Sequence, residues 1–238
     1  MPASDDLFFE AYDREEIAYG DVPSGPLASY LQQIDCSGGR ALDLGAGAGR
    51  DTIAMAKAGL SVTAVDLSPR GAERIMQRAA ASELDASVQA IVANVCEFEI
   101  DADAFDVICA TTVLDHISAE DAVRVWQQMV RGLRDGGVVY VEVHSTEDPG
   151  SDQSPGLESL APVSETANAV INYFAPNQLA RWATDAQAEL RILSYEERLE
   201  WDYTHGPEHQ HGKAILLAVK AGAFPDWYGT ASAFPKRS

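Results

Sequence analysis

Glycine alternates at positions 45, 47 and 49, directly after the apolar run 41–44. A helical pattern follows from Thr52, and a second apolar run, 62–65, ends in Asp66. This order predicts a strand, a tight turn, a helix and a second strand. A turn without Cβ atoms lets a ligand lie against the backbone. Asp66 lies 21 residues after Gly45, close to the spacing of about 20 residues expected of an acid that binds a ribose hydroxyl.

Arg50 argues against a dinucleotide as the ligand of this turn. The dinucleotide fingerprint places its third glycine three residues after the second, and this chain has Arg50 there. An arginine in the first turn of a helix can pair with a carboxylate instead. The motif therefore fits a nucleoside that carries an amino-acid tail, with the ribose at Asp66 and the tail at the glycine turn. It disfavours a nicotinamide-dependent oxidoreductase.

The charge of the chain narrows the class of substrate. Its 238 residues include 37 acidic and 17 basic ones, a net charge of −20. Such a surface repels phosphate backbones and anionic membranes, so we expect a small-molecule substrate and neither nucleic acid nor membrane as a partner. The three scattered cysteines and the lack of an apolar run long enough to span a membrane predict a cytoplasmic protein, monomer or homodimer.

Strands alternate with helices as far as residue 144, which predicts an α/β fold with a doubly wound, seven-stranded Rossmann-like sheet. We expect one domain over 1–238, with cap helices in 1–35, a lid over 145–175 and a tail over 221–238. Besides the two strands at the glycine turn, the predicted strands cover 86–93, 105–110, 138–143, 189–203 and 213–220. The predicted helices after Asp66 cover 69–82, 118–132 and 176–186. The last two strands form an antiparallel hairpin.

The first motif resembles that of the class I S-adenosyl-L-methionine (SAM) methyltransferases, in which an acid precedes Gly-x-Gly-x-Gly and a second acid ends the next strand. Three further segments are similar to the tellurite-resistance-like (thiol/chalcogen) branch: 18–24, 49–51 and 211–214. The resemblance covers about residues 8–220 and implies SAM as the cofactor. The cofactor-binding residues that it and the motif indicate are Tyr19, Asp43, Gly45, Ala46, Gly47, Gly49, Arg50, Asp66, Leu67, Asn94, Val95, Ala110 and Thr111.

All five histidines fall at the predicted cofactor edge of the sheet. We interpret His205, His144 and His116 as candidate catalytic bases, with His205 matching the hairpin histidine of the tellurite-resistance branch. The arginines that accompany that histidine are missing here. The candidate substrate-binding residues are Tyr173, Phe174, Trp201, His209 and His211. Two alternatives to these roles are open. The histidines can be solvated loop residues without a function, or the three hairpin histidines can hold a metal. We expect no metal.

The sequence leaves the methyl acceptor open. A sulfur, selenium or tellurium atom and an ordinary oxygen or nitrogen atom fit equally well, because the acceptor contacts would come from the lid and the hairpin. A SAM-binding regulatory protein without turnover is the alternative from a different class. We expect the chain to be an enzyme that transfers a methyl group from SAM to a small molecule.

Overall fold

The structure, a computed structural model, describes residues 12–13, 20–151, 170–203 and 208–220. The helices are α1 (Gly25–Gln33), α2 (Arg50–Lys57), α3 (Pro69–Ala81), α4 (Ala119–Gly132) and α5 (Gln178–Thr184). The strands are β1 (Arg40–Leu44), β2 (Ser61–Asp66), β3 (Val88–Val92), β4 (Phe105–Thr111), β5 (Leu133–His144), β6 (Leu190–Asp202) and β7 (His209–Lys220).

These strands form one sheet in the order β3-β2-β1-β4-β5-β7-β6. The pairs from β3 to β5 are parallel, and β7 runs antiparallel to both β5 and β6. The strand order reverses between β1 and β4, where an open α/β sheet binds its ligands outside the carboxyl ends of the strands. The predicted doubly wound sheet with a terminal antiparallel hairpin is confirmed.

The two faces of the sheet bury separate hydrophobic clusters. Along β5, Val139 and Val141 contribute to one cluster, and Val138 and Tyr140 to the other. Helices α4 and α5 supply the first cluster, while α1, α2 and α3 supply the second. Because both faces are covered, the central strands are mostly apolar, although β1 and β5 also bury Asp43 and Glu142.

Side-chain caps begin two of the helices where the sequence placed them. The Ser68 hydroxyl accepts a hydrogen bond from the Gly71 N–H at 3.0 Å, and Pro69 opens α3. The Ser118 hydroxyl accepts one from the Asp121 N–H at 3.1 Å at the start of α4. Capping satisfies backbone donors that have no partner within the helix.

The predicted starts of two strands were wrong. β5 begins at Leu133, ahead of the glycine pair, because Leu133 already pairs with Phe105 across a bulge. β7 begins at His209 and not at Lys213, because residues 209–211 pair with residues 200–202 of β6. This segment is polar, and the sequence therefore did not indicate a strand there. His209 and His211 lie on β7 and not in the hairpin turn.

The predicted lid and terminal segments fall mostly outside the described residues. Of the lid, residues 145–151 and 170–175 are described, and a bridge joins Ser145 to Phe174. Among the described residues of 1–35, one helix of some length is present, α1. In the described ranges, no helix has the length and apolar character needed to cross a membrane.

Candidate active site

The glycine turn connects β1 to α2 and has a backbone that requires glycine. Gly45, Gly47 and Gly49 have φ values of 62°, 54° and 82°. A Cβ at Gly45 would collide with the Val113 side chain, and one at Gly47 would lie 3.0 Å from the Tyr12 Oη. The turn therefore places bare backbone at the carboxyl end of β1.

Asp66 fixes this turn from the end of β2. Its Oδ2 accepts a hydrogen bond from the Gly47 N–H at 2.7 Å, and its Oδ1 accepts one from the Ser68 N–H at 2.8 Å. The sequence predicted a ligand-binding role and missed this structural one. Each carboxylate oxygen still has a second lone pair, so a ligand hydroxyl can also donate to Asp66.

Two more carboxylates lie under the turn. The Thr52 hydroxyl donates to Asp43 Oδ2 at 2.5 Å, and the Thr111 hydroxyl donates to Asp51 Oδ2 at 3.0 Å. The guanidinium of Arg50 lies 3.2 Å from the same Asp51 oxygen. Burial, together with the negative charge of Asp51, raises the pKa of Asp43 to about 7. Asp43 and Asp51 form the floor of the site, and their carboxyl groups favour a ligand with a cationic group.

A cavity of about 370 Å³ lies above the turn. Among the predicted cofactor residues, its walls include Asp43, Gly45, Ala46, Gly47, Arg50, Asp66, Leu67, Asn94, Val95 and Thr111. Gly49 and Ala110 are buried beneath the wall. The lining also includes His116, His144 and His211, together with Trp201 and Tyr203 from the end of β6 and just beyond it.

His144, the last residue of β5, is held by a buried carboxylate from the loop after β4. Its Nδ1 lies 2.5 Å from Asp115 Oδ2, and its backbone N–H donates to the same oxygen at 2.9 Å. Both side chains are buried, with 1% of His144 and 0% of Asp115 exposed. Among the described residues, the His144 Nε2 has no hydrogen-bond partner.

His211 on β7 has a matching carboxylate from the loop after β5. Its Nδ1 lies 3.0 Å from Asp148 Oδ2, which also accepts the Gly212 N–H at 3.0 Å. The His209 Nε2 lies 2.9 Å from the His211 Nε2. The His144 and His211 rings meet edge to face, with centroids 4.7 Å apart. We call Asp115, His144, Asp148, His209 and His211 the histidine–aspartate cluster.

The electrostatics of this cluster differ from those of the glycine turn. Burial favours the protonated form of Asp115, but the neighbouring His116 and the hydrogen bonds from His144 outweigh it and lower the pKa of Asp115. Burial is likewise outweighed at Asp148 by the hydrogen bonds from His211 and Gly150, so the pKa of Asp148 is also lowered. Burial lowers the pKa of His211. The cluster therefore combines ionised carboxylates with at least one imidazole that favours its neutral form.

The other predicted site residues differ in whether they lie at the cavity. Trp201 and Tyr203 stack with centroids 6.4 Å apart at the rim of the cavity. Phe174 is fully buried and packs against Trp182, so its assignment to the substrate wall was wrong. The half-buried Tyr173 lies on the same loop. His205 and Tyr19 fall outside the described residues, and their roles stay predictions.

The sequence analysis did not identify Asp115 and Asp148 as site residues. Asp115 directly precedes His116 after β4, and Asp148 follows β5 by four residues. Acids that follow the carboxyl ends of neighbouring parallel strands meet at one edge of the sheet, and that signal was available. The pairing of each acid with a particular histidine depends on the β5–β7 register, which the sequence did not show.

The family profile of the methyltransferase domain matches residues 41–137, which hold the glycine turn, Asp66 and the strands up to the start of β5. Residues 41–137 form a methyltransferase domain, and the fold is that of the class I SAM-dependent methyltransferases. The cofactor is SAM. The prediction from the glycine motif, a methyltransferase that uses SAM, is confirmed.

Named relatives and solved structures agree with this assignment. The ubiquinone biosynthesis O-methyltransferase of Xanthomonas oryzae pv. oryzae is 25% identical over 173 residues, which cover 68% of this chain and 67% of that protein. In fold, the chain is similar to TehB from Haemophilus influenzae, with a TM-score of 0.64 and 19% identity over 90% of this chain and 65% of TehB. A SAM-dependent methyltransferase from Methanosarcina mazei has a TM-score of 0.63 and 17% identity, over 84% of this chain and 98% of that one. The TehB likeness fits the tellurite-resistance branch in fold.

Proposed function

We propose that this methyltransferase transfers the methyl group of SAM to an oxygen or nitrogen atom of a small molecule. The observation that carries the proposal is the histidine–aspartate cluster, whose His144 and His211 line the same cavity as the glycine turn. A hydroxyl or amine must lose a proton when it is methylated, whereas a thiolate or a metalloid oxyanion has none to lose. Buried imidazoles held by carboxylates are groups suited to removing that proton.

The cofactor occupies the glycine half of the cavity in this proposal. The ribose hydroxyls donate to Asp66, and the adenine lies between Leu67 and the Asn94–Val95 pair. The methionine ammonium lies over the Asp43 floor, and the carboxylate pairs with Arg50. Support comes from the lining of the cavity, which includes the carboxyl groups of Asp43, Asp51 and Asp66.

The reaction itself needs little beyond positioning. A lone pair of the acceptor attacks the methyl carbon in line with the carbon–sulfur bond, whose electrons return to sulfur. The products are the methylated acceptor and S-adenosylhomocysteine, and the proton of the acceptor leaves to the cluster. Fixing the two reactants in line supplies most of the rate that the enzyme contributes.

Four observations support a small acceptor with a protic nucleophile. The cavity of about 370 Å³ has room for little beyond the cofactor and a compact molecule. The net charge of −20 opposes nucleic acid. The Xanthomonas relative is named as an O-methyltransferase. The Trp201–Tyr203 pair at the rim offers flat apolar surface to the acceptor.

The fold likeness to TehB and the branch motifs favour a second candidate, a sulfur, selenium or tellurium acceptor. Both candidates can be tested by incubating the untagged protein with SAM and, separately, phenols, amines, thiols and tellurite, and then measuring release of S-adenosylhomocysteine. We expect release with a hydroxyl or amine acceptor. Release with thiols or tellurite alone would establish the second candidate. No release with any acceptor, in a protein that binds SAM, would favour a regulatory SAM-binding protein.

A further inference from the structure

The His144, Asp148 and His211 side chains have the geometry of metal ligands. Each offers one donor atom, and the three donor atoms lie within 4.8 Å of one another. The His211 Nδ1 and the Asp148 Oδ2 are 3.0 Å apart. Two donors on one tetrahedral ion with bonds of about 2.1 Å lie about 3.4 Å apart. The 4.8 Å limit on the separations of the third donor exceeds this spacing by about 1.4 Å.

A second observation points to a ligand at the same place. The His144 side chain is 1% exposed and lines the cavity, yet its Nε2 has no partner among the described residues. A buried ring nitrogen without a partner costs free energy of folding unless something else binds it. The His144 Nδ1 is already taken by Asp115, so the Nε2 is the atom left for a ligand.

Asp115 supplies the outer support that a metal-binding histidine ordinarily has. In metal sites, one ring nitrogen of the histidine binds the ion while the other donates to a carboxylate, which fixes the tautomer and the orientation of the ring. The Asp115–His144 contact at 2.5 Å has this arrangement. The His144 backbone N–H donates to the same oxygen, which holds the carboxylate in place.

We propose that His144, Asp148 and His211 bind one divalent transition-metal ion in the acceptor half of the cavity. Two imidazoles and one carboxylate are donors that suit Zn²⁺ and its first-row neighbours and not Mg²⁺, which takes oxygen ligands. Three protein ligands leave one position open, as in catalytic zinc sites. Since His144 and His211 line the cavity, we infer that this position faces the acceptor.

The role of the ion rests on the proposed function, although its binding does not. An acceptor hydroxyl on the open position would have a lower pKa, since the cation stabilises the oxyanion. Its proton would then leave to solvent, and the bound oxygen would attack the methyl carbon of SAM. When the ion is bound, it would therefore take over the role that the free imidazoles of the cluster have in the metal-free protein.

A second set of donors competes for the same ion. Asp115, His116 and His144 also lie within 4.8 Å of one another. We favour the set with Asp148 because all three of its residues are buried, whereas His116 is only partly buried. His116→Gln is therefore a matched control, since it removes an imidazole that lies edge to face with His144, with centroids 6.1 Å apart, but is not one of the proposed ligands.

The test is calorimetric titration of Zn²⁺ into the untagged full chain after treatment with a chelator. We expect one site per chain, with affinity reduced at least 100-fold in His144→Gln, Asp148→Asn and His211→Gln, and unchanged in His116→Gln. Asp115→Asn should weaken binding about 10- to 100-fold. Thermal unfolding of each variant shows whether it is folded. The readout needs no acceptor, so a failure of the proposed function leaves it intact.

Co²⁺ substitution of the parent protein provides a measurement that does not depend on the folding of any variant. We expect the visible d–d bands of a four-coordinate nitrogen–oxygen site without a thiolate charge-transfer band. A thiolate band would place the ion on a cysteine and overturn the proposal. So would the absence of saturable Zn²⁺ binding, or binding that survives Asp148→Asn but is lost in His116→Gln.

Discussion

The two halves of the cavity are built in different ways. Most of the cofactor half comes from residues 43–67, which include the end of β1, the glycine turn, α2 and β2 in direct succession. The acceptor half comes from side chains on four separate segments, which the parallel β4–β5 and antiparallel β5–β7 pairings bring together. The first half depends on local turn chemistry and the second on strand register. Changes in one half should therefore leave the other half working.

The largest expected effect of a single change is on cofactor binding, at Gly47. Gly47→Val puts a branched side chain into the turn at φ 54°, where it fills ligand space and contacts Tyr12. We expect SAM affinity to fall at least about 100-fold, which is about 2.7 kcal/mol, with zinc affinity at the histidine–aspartate cluster unchanged. Calorimetry with SAM and with Zn²⁺ on the same preparation measures both.

Gly38→Val is the control for backbone strain. Gly38 also has a positive φ, 76°, but a Cβ there meets nothing within 4 Å. This variant should lose a similar amount of stability and keep its SAM affinity. Normal SAM binding by a folded Gly47→Val protein would mean that the turn is not the cofactor site.

A smaller effect is expected at Asp66. Asp66→Ala removes the acceptor of the proposed ribose hydrogen bonds and frees the Gly47 N–H that holds the turn. SAM affinity should weaken by roughly 1–3 kcal/mol, measured by calorimetry. Ser68→Ala is the matched control, because it removes a helix cap worth about 0.5–2 kcal/mol without lining the cavity. Equal SAM affinities in the parent and a folded Asp66→Ala protein would rule out the ribose role.

The smallest effect is the pH dependence of stability that Asp43 introduces in the cofactor half. Burial and the charge of Asp51 raise the pKa of Asp43 to about 7 in the folded chain, above about 3.9 when unfolded. The folded state therefore holds an extra proton between these values, and its contribution to stability is lost as pH rises through about 7. The slope cannot exceed about 1.4 kcal/mol per pH unit.

Urea unfolding between pH 5 and 8 measures this slope. Asp43→Asn keeps an acceptor for the Thr52 hydroxyl but cannot ionise, so we expect its free energy of unfolding to vary less with pH than that of the parent. Parallel profiles for the two proteins would show that Asp43 is ionised throughout this range. The carboxylates of the acceptor half, with lowered pKa values, contribute no such slope here.

The same contrast explains what could be read from the sequence. The glycine turn, Asp66 and the caps at Ser68 and Ser118 are local signals, and the structure confirms the elements that they begin or end. The acceptor half is not local. The sequence correctly predicted that His144 and His211 lie at the cofactor edge of the sheet, but it did not predict their carboxylate partners. Asp115 and Asp148 become visible only when the strands are paired, since each contacts a histidine 29 and 63 residues away.

The central claim, that the histidine–aspartate cluster acts on the acceptor and not on SAM, is tested most directly by His144→Gln. The measurement pairs the SAM dissociation constant with the rate of S-adenosylhomocysteine release on the best hydroxyl or amine acceptor. We predict a dissociation constant within about twofold of the parent value and a rate lower by about 10²–10⁴. A folded variant that turns over at the parent rate, or one whose only defect is weaker SAM binding, would contradict the claim.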